Sequence, residues 1–324
     1  MTEKMRLLIS GGAGCLGSNL IERYLPLGHE ICVIDNFATG KREVVPAVPG
    51  LTVVEGTIAD QKLVMDTFTK FKPTHVIHSA ASYKDPQNWA EDATTNVLGT
   101  IHLAKAALSA GVIRLVNFQT ALCYGRPQQI PIPVNHPTAP FTSYGISKTA
   151  GEEYLLRSGL SVISLRLANI CGPRLAIGPI PTFYKRLKAK QKCFCSDTSR
   201  DFLDISDFFS LMDKVLSADT PSGVFNVSSG EGHTILEVFT TVAEYLGIAP
   251  PEVPVMPVGN DDVPVVVLDP TVTEQTFGWR AQVNFKETIR HQLLWYDAHG
   301  VTDIFSHLAV PKSNNSVKVM EGAK

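Results

Sequence analysis

A tyrosine and a lysine lie four positions apart in residues 142–148, and this pair has the residue types needed for acid–base chemistry. Positions i and i+4 share one face of a helix, so the ammonium of Lys148 can lie near the phenol of Tyr144. A nearby cation favours phenolate and lowers the tyrosine pKa from its usual value of about 10, which allows proton exchange at neutral pH. The alternative is an ordinary pair on a helix surface, worth about 0.2–0.5 kcal/mol. The spacing alone leaves both interpretations open.

The first elements of the chain have the pattern of a dinucleotide-binding turn. An apolar, strand-like run at residues 5–10 is followed by Gly11, Gly14 and Gly17, and a helical pattern follows at 18–27. Glycine allows positive φ and close backbone approach to a pyrophosphate, and the helix N-terminus adds unpaired N–H groups and a positive dipole end. Because strand, turn and helix occur in this order, the pattern favours a nucleotide site over an ordinary tight turn.

An aspartate ends the next apolar run and indicates which dinucleotide binds. Asp35 follows residues 31–34 and lies eighteen positions after Gly17. A carboxylate there accepts hydrogen bonds from an adenosine ribose and repels a 2′-phosphate, so we expect NAD in preference to NADP. Lys41 and Arg42 lie close downstream and soften this preference.

An alternation of strand and helix patterns shows where these motifs lie in the predicted fold. The alternation continues to about residue 170 and predicts an α/β fold, with a Rossmann-type doubly wound parallel sheet and helices on both faces. Such sheets bind ligands beyond the carboxyl ends of their strands, where the glycine turn, Asp35, residues 80–84 and Thr120 all fall. The expected strands are 5–10, 31–34, 51–54, 75–78, 115–118 and 162–166, and the expected helices are 18–27, 62–70, 92–110 and 144–157.

Beyond residue 170 the pattern changes to short pieces interrupted by prolines. We therefore expect an NAD-binding Rossmann domain with the Tyr/Lys pair at 1–170 and a smaller C-terminal subdomain, mainly substrate-binding, at 171–309. Residues 310–324 are polar and lack periodicity, which predicts a mobile tail.

The bulk composition is that of a folded protein without a nucleic-acid or membrane partner. Of the 324 residues, 44% are hydrophobic and 19% are charged, and the net charge is −2. This charge gives no electrostatic basis for binding nucleic acid or anionic membranes, and no apolar run approaches the ~20 residues of a membrane span. The first strand follows the start too closely for a signal peptide, so we expect a cytoplasmic protein.

The six cysteines are best explained as reduced core or near-core residues. Cys193 and Cys195 form a C-x-C pair that could suggest a metal centre. Because no His or Cys pair at zinc spacing accompanies them, we expect no metal site.

Together, these motifs resemble those of the extended short-chain dehydrogenase/reductase superfamily, in its NAD-dependent nucleotide-sugar epimerase/dehydratase branch. The resemblance runs from Leu7 to about Trp295, and its markers occur in the order typical of the family. So many ordered matches identify the family better than any single motif. The markers are GGAGCLGS, DNFATGKRE, HSAAS, NVLGT, QTALCYG, SYGISK, RLANICGPR, RDFLDISD and DPTVTEQTFGW.

The resemblance implies roles for individual residues. Thr120 would hold the reacting sugar hydroxyl, Tyr144 would be the acid–base, and Lys148 would bind the nicotinamide ribose and tune Tyr144. His78 is expected to be a structural residue behind the cofactor. The residues implied to bind NAD are Gly11, Gly14, Cys15, Leu16, Gly17, Asp35, Asn36, Thr39, Gly40, Ile58, Ala80, Asn96, Tyr144 and Lys148. Those implied to bind a nucleotide-diphosphate sugar, expected to be UDP-linked, are Lys84, Thr120, Tyr144, Asn169 and Arg200.

Three of these polar residues have ordinary structural alternatives. Asn96 could be a polar residue of a helix interior, and Asn169 could belong to a turn. Arg200 could form a surface ion pair with Asp201 or Asp204.

One departure from the family pattern bears on the reaction. In the 4,6-dehydratases of this branch an Asp-Glu pair follows the catalytic Thr, and it performs the elimination. Here Thr120 is followed by Ala121 and Leu122, which cannot transfer protons, and the glutamate of the decarboxylases is also absent. An Ala-x pair resembles the C4 epimerases instead.

Two further departures bear on binding. Thr57 and Ile58 stand where the family has an acidic adenine contact, and Gly259 stands where it has a diphosphate-binding arginine. The diphosphate would then depend on Arg200, on Arg174 or on a basic residue of 184–186. Val266 aligns with a residue that limits the 2-substituent of the sugar; it is small, which suggests room for an N-acetyl group.

The resemblance therefore implies an NAD-dependent UDP-sugar 4-epimerase that acts by transient oxidation at C4. The first alternative is a dehydratase of the same family with displaced acid and base. The second is a non-catalytic NAD-sensing protein, against which the complete set of Thr120, Tyr144 and Lys148 counts. By analogy we expect a homodimer, in which helices 92–110 and 144–157 pack as a four-helix bundle.

Overall fold

The computed structural model describes residues 4–83, 85–259 and 262–304, and a parallel sheet forms its centre. The strands are β1 (Arg6–Ser10), β2 (Glu30–Asp35), β3 (Leu51–Glu55), β4 (His75–His78), β5 (Arg114–Thr120), β6 (Val162–Leu167), β7 (Asn169–Cys171), β8 (Cys195–Ser196), β9 (Ser199–Asp204), β10 (Gly223–Val227), β11 (Gly232–Thr234), β12 (Val255–Met256) and β13 (Val265–Val266). The helices are α1 (Cys15–Tyr24), α2 (Gln61–Phe71), α3 (Trp89–Asp92), α4 (Thr100–Ala110), α5 (Ser143–Leu156), α6 (Pro179–Lys188), α7 (Ile205–Val215), α8 (Ile235–Tyr245), α9 (Thr271–Phe277) and α10 (Phe285–His299).

The central sheet has seven strands in the order β10–β6–β5–β4–β1–β2–β3, and every neighbouring pair is parallel. The chain runs outward from β1 through β2 and β3, then returns to build β4, β5 and β6 on the other side of β1. A crevice therefore opens between the carboxyl ends of β1 and β4, which is where sheets of this type bind ligands.

Helices cover both faces of this sheet, as the doubly wound prediction requires. Leu7 and Ile9 of β1 lie in one buried cluster with residues of α1 and α7, whereas Leu8 lies in a second cluster with residues of α2, α4 and α5. Successive strand residues point to opposite faces, so an apolar run without polar interruptions is what a strand buried on both sides needs. The predicted Rossmann-type fold is confirmed.

A smaller sheet and a third buried cluster form much of the C-terminal part. In this sheet β11, β9 and β13 are neighbours and β7 also pairs with β9, while the cluster lies among α6, α8 and α10. The chain also returns from this part to the central sheet, because β10 pairs with β6. The domain boundary at residue 170 stays a prediction. The edge strand β10 of the central sheet comes from beyond that boundary. The expected tail at 310–324 lies outside the described residues.

The predicted helix at 92–110 is not one regular α-helix. It consists of α3, a seven-residue π-helical segment (Ala93–Gly99) and α4. Wider π-helical turns often occur at functional sites. In this chain the segment carries Asn96 into the interior, where only 1% of its surface is exposed.

Candidate active site

The glycine turn joins β1 to α1 and leaves no space for side chains at two of its glycines. Gly11 has a φ of 71°, and a Cβ there would lie 2.7 Å from the Cα of Ala80. A Cβ at Gly17 would overlap the carbonyl oxygen of Gly11. The N-terminus of α1, which Gly14 caps, is therefore packed directly against the turn and against the loop after β4. This is the close backbone approach that a pyrophosphate cradle needs.

Asp35 ties the end of β2 to this turn. Its Oδ2 accepts a hydrogen bond from the N–H of Ala13 at 2.8 Å, and its Oδ1 accepts one from the N–H of Phe37 at 2.8 Å. Each carboxylate oxygen can accept two hydrogen bonds, so Asp35 keeps acceptor capacity beyond these two contacts. The same side chain thus shapes the turn, and its role at a ribose stays a prediction.

The two cations expected to soften the preference for NAD, Lys41 and Arg42, both contact other side chains of the protein. Lys41 donates to the hydroxyl of Thr302 at 2.7 Å and pairs with Asp303 at 2.9 Å. Arg42 lies over the Phe37 ring at 5.0 Å and within 4.0 Å of a Glu55 oxygen. Both cations thus lie beside acidic partners at the surface, and their effect on the choice of dinucleotide stays a prediction.

The remaining residues predicted to contact the adenosine half and the turn lie around this cradle. Asn36 Oδ1 accepts a hydrogen bond from the Ala38 N–H at 3.1 Å, Gly40 packs on the backbone of Ala13, and Ile58 is buried against Gly99. Leu16 packs against the core, and Cys15 donates its S–H to the Pro173 carbonyl at 3.3 Å. Burial raises the pKa of the Cys15 thiol to about 12, so it stays protonated.

A buried chain of hydrogen bonds fixes the loop after β4. His78 Nδ1 lies 2.8 Å from the Ser10 hydroxyl, and its Nε2 lies 2.8 Å from the Thr100 hydroxyl. The Thr100 hydroxyl donates to the Asn96 carbonyl at 2.7 Å, so Nε2 carries the proton and Nδ1 accepts from Ser10. Burial, with a smaller contribution from Lys148, holds the pKa of His78 well below its usual value. His78 is a neutral structural residue.

Asn96 anchors the segment that follows Ala80. Its Oδ1 accepts the N–H of Ser82 at 2.9 Å, and its two Nδ2 protons go to the Ser82 carbonyl and the Ser147 hydroxyl at 2.9 and 3.0 Å. Both donors of the amide are thus used within the protein. The structural alternative considered for Asn96 therefore has direct support, and a cofactor contact is left with the second lone pair of Oδ1.

The catalytic candidates lie at adjoining ends of β5 and α5. Thr120 is the last residue of β5, and its hydroxyl accepts the N–H of Leu122 at 3.2 Å. Thr142 caps α5, which places Tyr144 in the first turn and the buried Lys148 one turn later. Gln119 joins the two elements, because its Nε2 donates to the Lys148 carbonyl at 2.9 Å.

The electrostatics of Tyr144 differ from the prediction. Burial raises the pKa of Tyr144, and Tyr83 and Asp92 raise it further. Burial also lowers the pKa of Lys148 to about 8. The predicted lowering of the tyrosine pKa is wrong, because removal of the phenol from water and the nearby Tyr83 and Asp92 all favour its neutral form.

Two of the residues around Tyr144 were missed by the sequence reasoning. The Tyr83 ring meets Tyr144 edge-on at 6.4 Å between centroids, and its hydroxyl is hydrogen bonded to Thr39 across the crevice. Asp92 is buried, and its Oδ2 accepts the Ser143 hydroxyl at 2.6 Å. The only sequence signal for Asp92 was its position one helical turn before Asn96.

Of the predicted substrate residues, Asn169 and Arg200 lie on the smaller sheet, Thr120 and Tyr144 lie on β5 and α5, and Lys84 lies outside the described residues. Asn169 is exposed, and its Nδ2 donates to the Asp201 carbonyl at 2.9 Å. Arg200 pairs with Asp262 at 2.5 Å, and it pairs with neither Asp201 nor Asp204, the partners considered from sequence. In the strand register Arg200 lies opposite the small Val266.

The other cation considered for the diphosphate is already bound within the protein. Arg174 donates to the Ser18 hydroxyl at 2.8 Å and pairs with Glu22 at 2.6 Å, both on α1. In residues 184–186, Tyr184 donates to Asp297 at 2.7 Å and Arg186 lies over a phenylalanine ring. Arg200 is likewise paired, with Asp262, so its role at the diphosphate stays a prediction.

The described ranges hold no group of three His, Cys, Asp or Glu side chains that could bind a metal ion. Nor does any helix in them have the length and apolar character needed to cross a membrane. The six cysteines are unpaired thiols.

Comparisons with known proteins identify the family. The model of the NAD dependent epimerase/dehydratase family matches residues 7–228. The crystal structure of the Bordetella bronchiseptica enzyme WbmG in complex with NAD is 68% identical, with a TM-score of 0.91 over 95% of this chain and 99% of that one. The Thermus thermophilus UDP-glucose 4-epimerase in complex with NAD is 34% identical, with a TM-score of 0.82 over 91% and 100% of the two chains. The UDP-glucose 4-epimerase of Mycolicibacterium smegmatis is 33% identical over 88% of this chain and 96% of its own length. The family resemblance is confirmed: the chain belongs to the NAD dependent epimerase/dehydratase family.

Proposed function

We propose that the chain is an NAD-dependent UDP-sugar 4-epimerase that acts by transient oxidation at C4. The observation that supports this proposal is the position of Thr120 at the carboxyl end of β5 and of Tyr144 and Lys148 in the first two turns of α5, with Ala121 and Leu122 next to Thr120. Two relatives are UDP-glucose 4-epimerases, and WbmG has also been crystallised in complex with NAD and UDP.

The residues of the crevice fit NAD. Gly11 and Gly17 lack the space for any side chain, and the backbone they bring together is suited to a pyrophosphate. Asp35 is buried and keeps free acceptor capacity for ribose hydroxyls. When bound, NAD supplies an acceptor that takes a hydride from the sugar and returns it.

The side chains of the site handle the accompanying proton. Tyr144 takes the proton of the sugar 4-hydroxyl as its C4 hydride leaves, and the Thr120 hydroxyl orients that group. Lys148 stabilises the resulting phenolate. After the 4-keto sugar has rotated within the site, Tyr144 gives the proton back while the hydride returns to the opposite face of C4. The reaction thus has no net redox change.

The raised pKa of Tyr144 means that a neighbouring positive charge is needed to favour the phenolate. Lys148 and a bound oxidised nicotinamide would supply that charge.

A dehydratase and a non-catalytic sensor are less well supported. Elimination of water needs an acid and a base next to Thr120, and Ala121 and Leu122 supply neither. A sensor would not need the full set of Thr120, Tyr144 and Lys148, or the capping by Thr142 that places Tyr144.

Incubation with a panel of UDP-sugars, including UDP-glucose and UDP-N-acetylglucosamine, tests the proposed function. We expect 4-epimers of unchanged mass by NMR and mass spectrometry, without added NAD. Products lighter by one water would instead identify a dehydratase, and no turnover of any sugar would contradict the enzymatic function.

We further propose that Arg200 binds the diphosphate of the substrate. Arg200→Met should raise the KM roughly 10–100-fold, the effect of losing a charge-assisted hydrogen bond, and leave kcat within a few-fold. Arg174→Met is the matched control, because Arg174 pairs with Glu22 and should affect stability without changing KM. Equal KM values for the two variants would remove Arg200 from the diphosphate site.

We also propose a homodimer that forms through α4, α5 and the π-helical segment. Large apolar side chains are exposed there: Leu98 and Leu108, and on α5 Ile146 (52%) and Tyr154 (55%). Ile146→Lys should give monomers in light scattering, whereas Leu27→Lys, which changes an exposed leucine on another surface, should not. A dimeric Ile146→Lys variant would contradict this arrangement.

We infer that the protein works in the cytoplasm, where its unpaired thiols remain reduced. If so, activity is recovered in a soluble cell fraction without exported proteins.

We also retain, as a proposal, the assignment of 1–170 to the cofactor and of 171–309 mainly to the substrate.

A further inference from the structure

A third ionisable residue continues the row formed by Tyr144 and Lys148. Glu152 lies one helical turn beyond Lys148 on α5, at the spacing that places side chains on one helix face. Only 1% of Glu152 and 5% of Lys148 is exposed. The helix spacing thus places a buried carboxylate one turn from a buried ammonium.

Residues of β6 hold the Glu152 carboxylate. Arg166 Nη2 lies 2.8 Å from Oε2, and the Ser164 hydroxyl donates to Oε1 at 2.6 Å. The Arg166 side chain is 7% exposed and that of Glu152 is fully buried. Since an unpaired buried charge is very unfavourable, Arg166 and Glu152 require each other.

The same arginine also contacts the segment that carries Thr120. The Arg166 guanidinium lies 4.8 Å from the ring centroid of Tyr124, which ends the short 3-10 turn that begins directly after Thr120. The Tyr124 hydroxyl donates to Asn226 Oδ1 at 2.7 Å, which joins the turn to β10. The Glu152–Arg166 pair is therefore connected to both sides of the catalytic centre.

The Glu152 carboxylate interacts electrostatically with two buried cations, Arg166 and Lys148. Burial favours the neutral form of Lys148 and lowers its pKa to about 8, whereas Glu152 acts in the opposite direction. His78 on β4 is neutral and supplies no counter-charge. The other titratable groups around Lys148 and Glu152 are Tyr144 on α5, Asp92 on α3, Arg166 on β6, and Cys123 and Tyr124 in the 3-10 turn.

We propose that Glu152 is a positioning residue that keeps the Lys148 ammonium charged beside Tyr144, and that Arg166 holds the Glu152 carboxylate in place for this task. Glu152 acts only through Lys148 and does not touch the substrate. This inference rests on the proposed function, because it assigns Glu152 a role in the same proton transfer.

The pH dependence separates this role from a purely structural one. Lys148 is active when protonated, so activity falls as the pH rises through its pKa. Removing the Glu152 charge lowers that pKa further, and the loss of activity then begins at lower pH. A purely structural pair would change stability and leave the alkaline limb where it is.

The test compares Glu152→Gln with the wild type across the pH range. We expect the alkaline limb of kcat to move down by about one pH unit or more, a roughly tenfold loss at pH values above it. The KM for the sugar at neutral pH should stay within a few-fold. Glu153→Gln is the matched control on the same helix, because the Glu153 side chain is 46% exposed and pairs with Arg157 at the surface. An unmoved alkaline limb in Glu152→Gln would overturn the proposal.

A second variant covers the case in which Glu152→Gln does not fold because Arg166 loses its partner. Glu152→Gln/Arg166→Met removes both charges, and its alkaline limb should lie between those of the wild type and Glu152→Gln. If the single variant is insoluble, a limb below that of the wild type supports the proposal and an unchanged limb overturns it.

Lysine side-chain NMR provides a readout that does not need turnover. The Lys148 signal, assigned by its loss in Lys148→Met, should titrate at lower pH in Glu152→Gln than in the wild type. If the wild type epimerises no sugar, the proposed function fails while this titration still tests Glu152. If the wild type is active and the Lys148 titration does not move, only the role of Glu152 fails.

Discussion

Tyr144→Phe is expected to lower kcat by about 10²–10⁴-fold and to leave NAD bound. The substitution removes the hydroxyl proposed to take the proton of the sugar 4-hydroxyl and to give it back, and removing an acid–base of this kind has an effect of this size. The ring itself remains, and with it the edge-on contact to Tyr83 at 6.4 Å between centroids. Turnover of a UDP-sugar and titration with NAD measure the two effects separately.

Tyr154→Phe is the matched control for this variant. Tyr154 lies on the same helix but is 55% exposed, so losing its hydroxyl should change neither turnover nor NAD binding. A Tyr144→Phe variant that retains turnover within tenfold of the wild type would assign the proton transfer to another group. An unchanged biological activity without any turnover would favour the sensor.

The second large effect is expected at the cofactor cradle. In Gly17→Ala the added methyl would overlap the Gly11 carbonyl oxygen and lie 2.6 Å from the Gly12 Cα, so α1 must shift away from the turn. Such a shift misplaces the N–H groups that face the pyrophosphate. We expect the Kd for NAD to rise at least about 100-fold, equivalent to about 2.7 kcal/mol, in isothermal titration calorimetry.

Gly28→Ala separates loss of NAD binding from loss of stability. Gly28 has a φ of 86° but nothing within 4 Å of an added Cβ, so alanine there brings backbone strain alone. This should cost about 1–2 kcal/mol of folding free energy without changing the Kd for NAD. If Gly17→Ala bound NAD as tightly as Gly28→Ala, the assignment of the turn as the pyrophosphate site would be wrong.

The central sheet was predictable because its strands are buried on both faces. Continuous apolar runs mark such strands, and the prediction of 75–78 coincides with β4 (His75–His78). The short strands of the second sheet were missed: β7, β11 and β13 have two or three residues and are defined by pairing with distant β9. A local pattern cannot reveal a strand that exists only through long-range partners.

The site was predictable where chain order alone decides position. Thr120 and Asp35 had to lie at the carboxyl edge because each ends a parallel strand. The ion-pair partners of Arg200 and Glu152 were not predictable. Asp262, the partner of Arg200, is 62 residues away in the sequence, and Arg166, the partner of Glu152, is 14 residues away.

The wrong prediction of a lowered Tyr144 pKa has a related physical cause. The sequence shows the cation one turn away, but it does not show how far the fold removes the phenol from water. It also does not show that Tyr83 and Asp92 lie close enough to oppose ionisation. A pKa reflects every group around the site, and most of these groups are distant in the sequence.

Transient oxidation at C4 is tested most directly by following the hydrogen on that carbon. The protein is incubated in ordinary water with a UDP-sugar that carries deuterium at C4, and both epimers are analysed by NMR and mass spectrometry. Because the hydride taken from C4 returns to C4 of the same sugar, we expect both epimers to retain the deuterium at that position. Deuterium lost to solvent, or moved to another carbon in a 4-keto-6-deoxy product, would contradict the proposed mechanism.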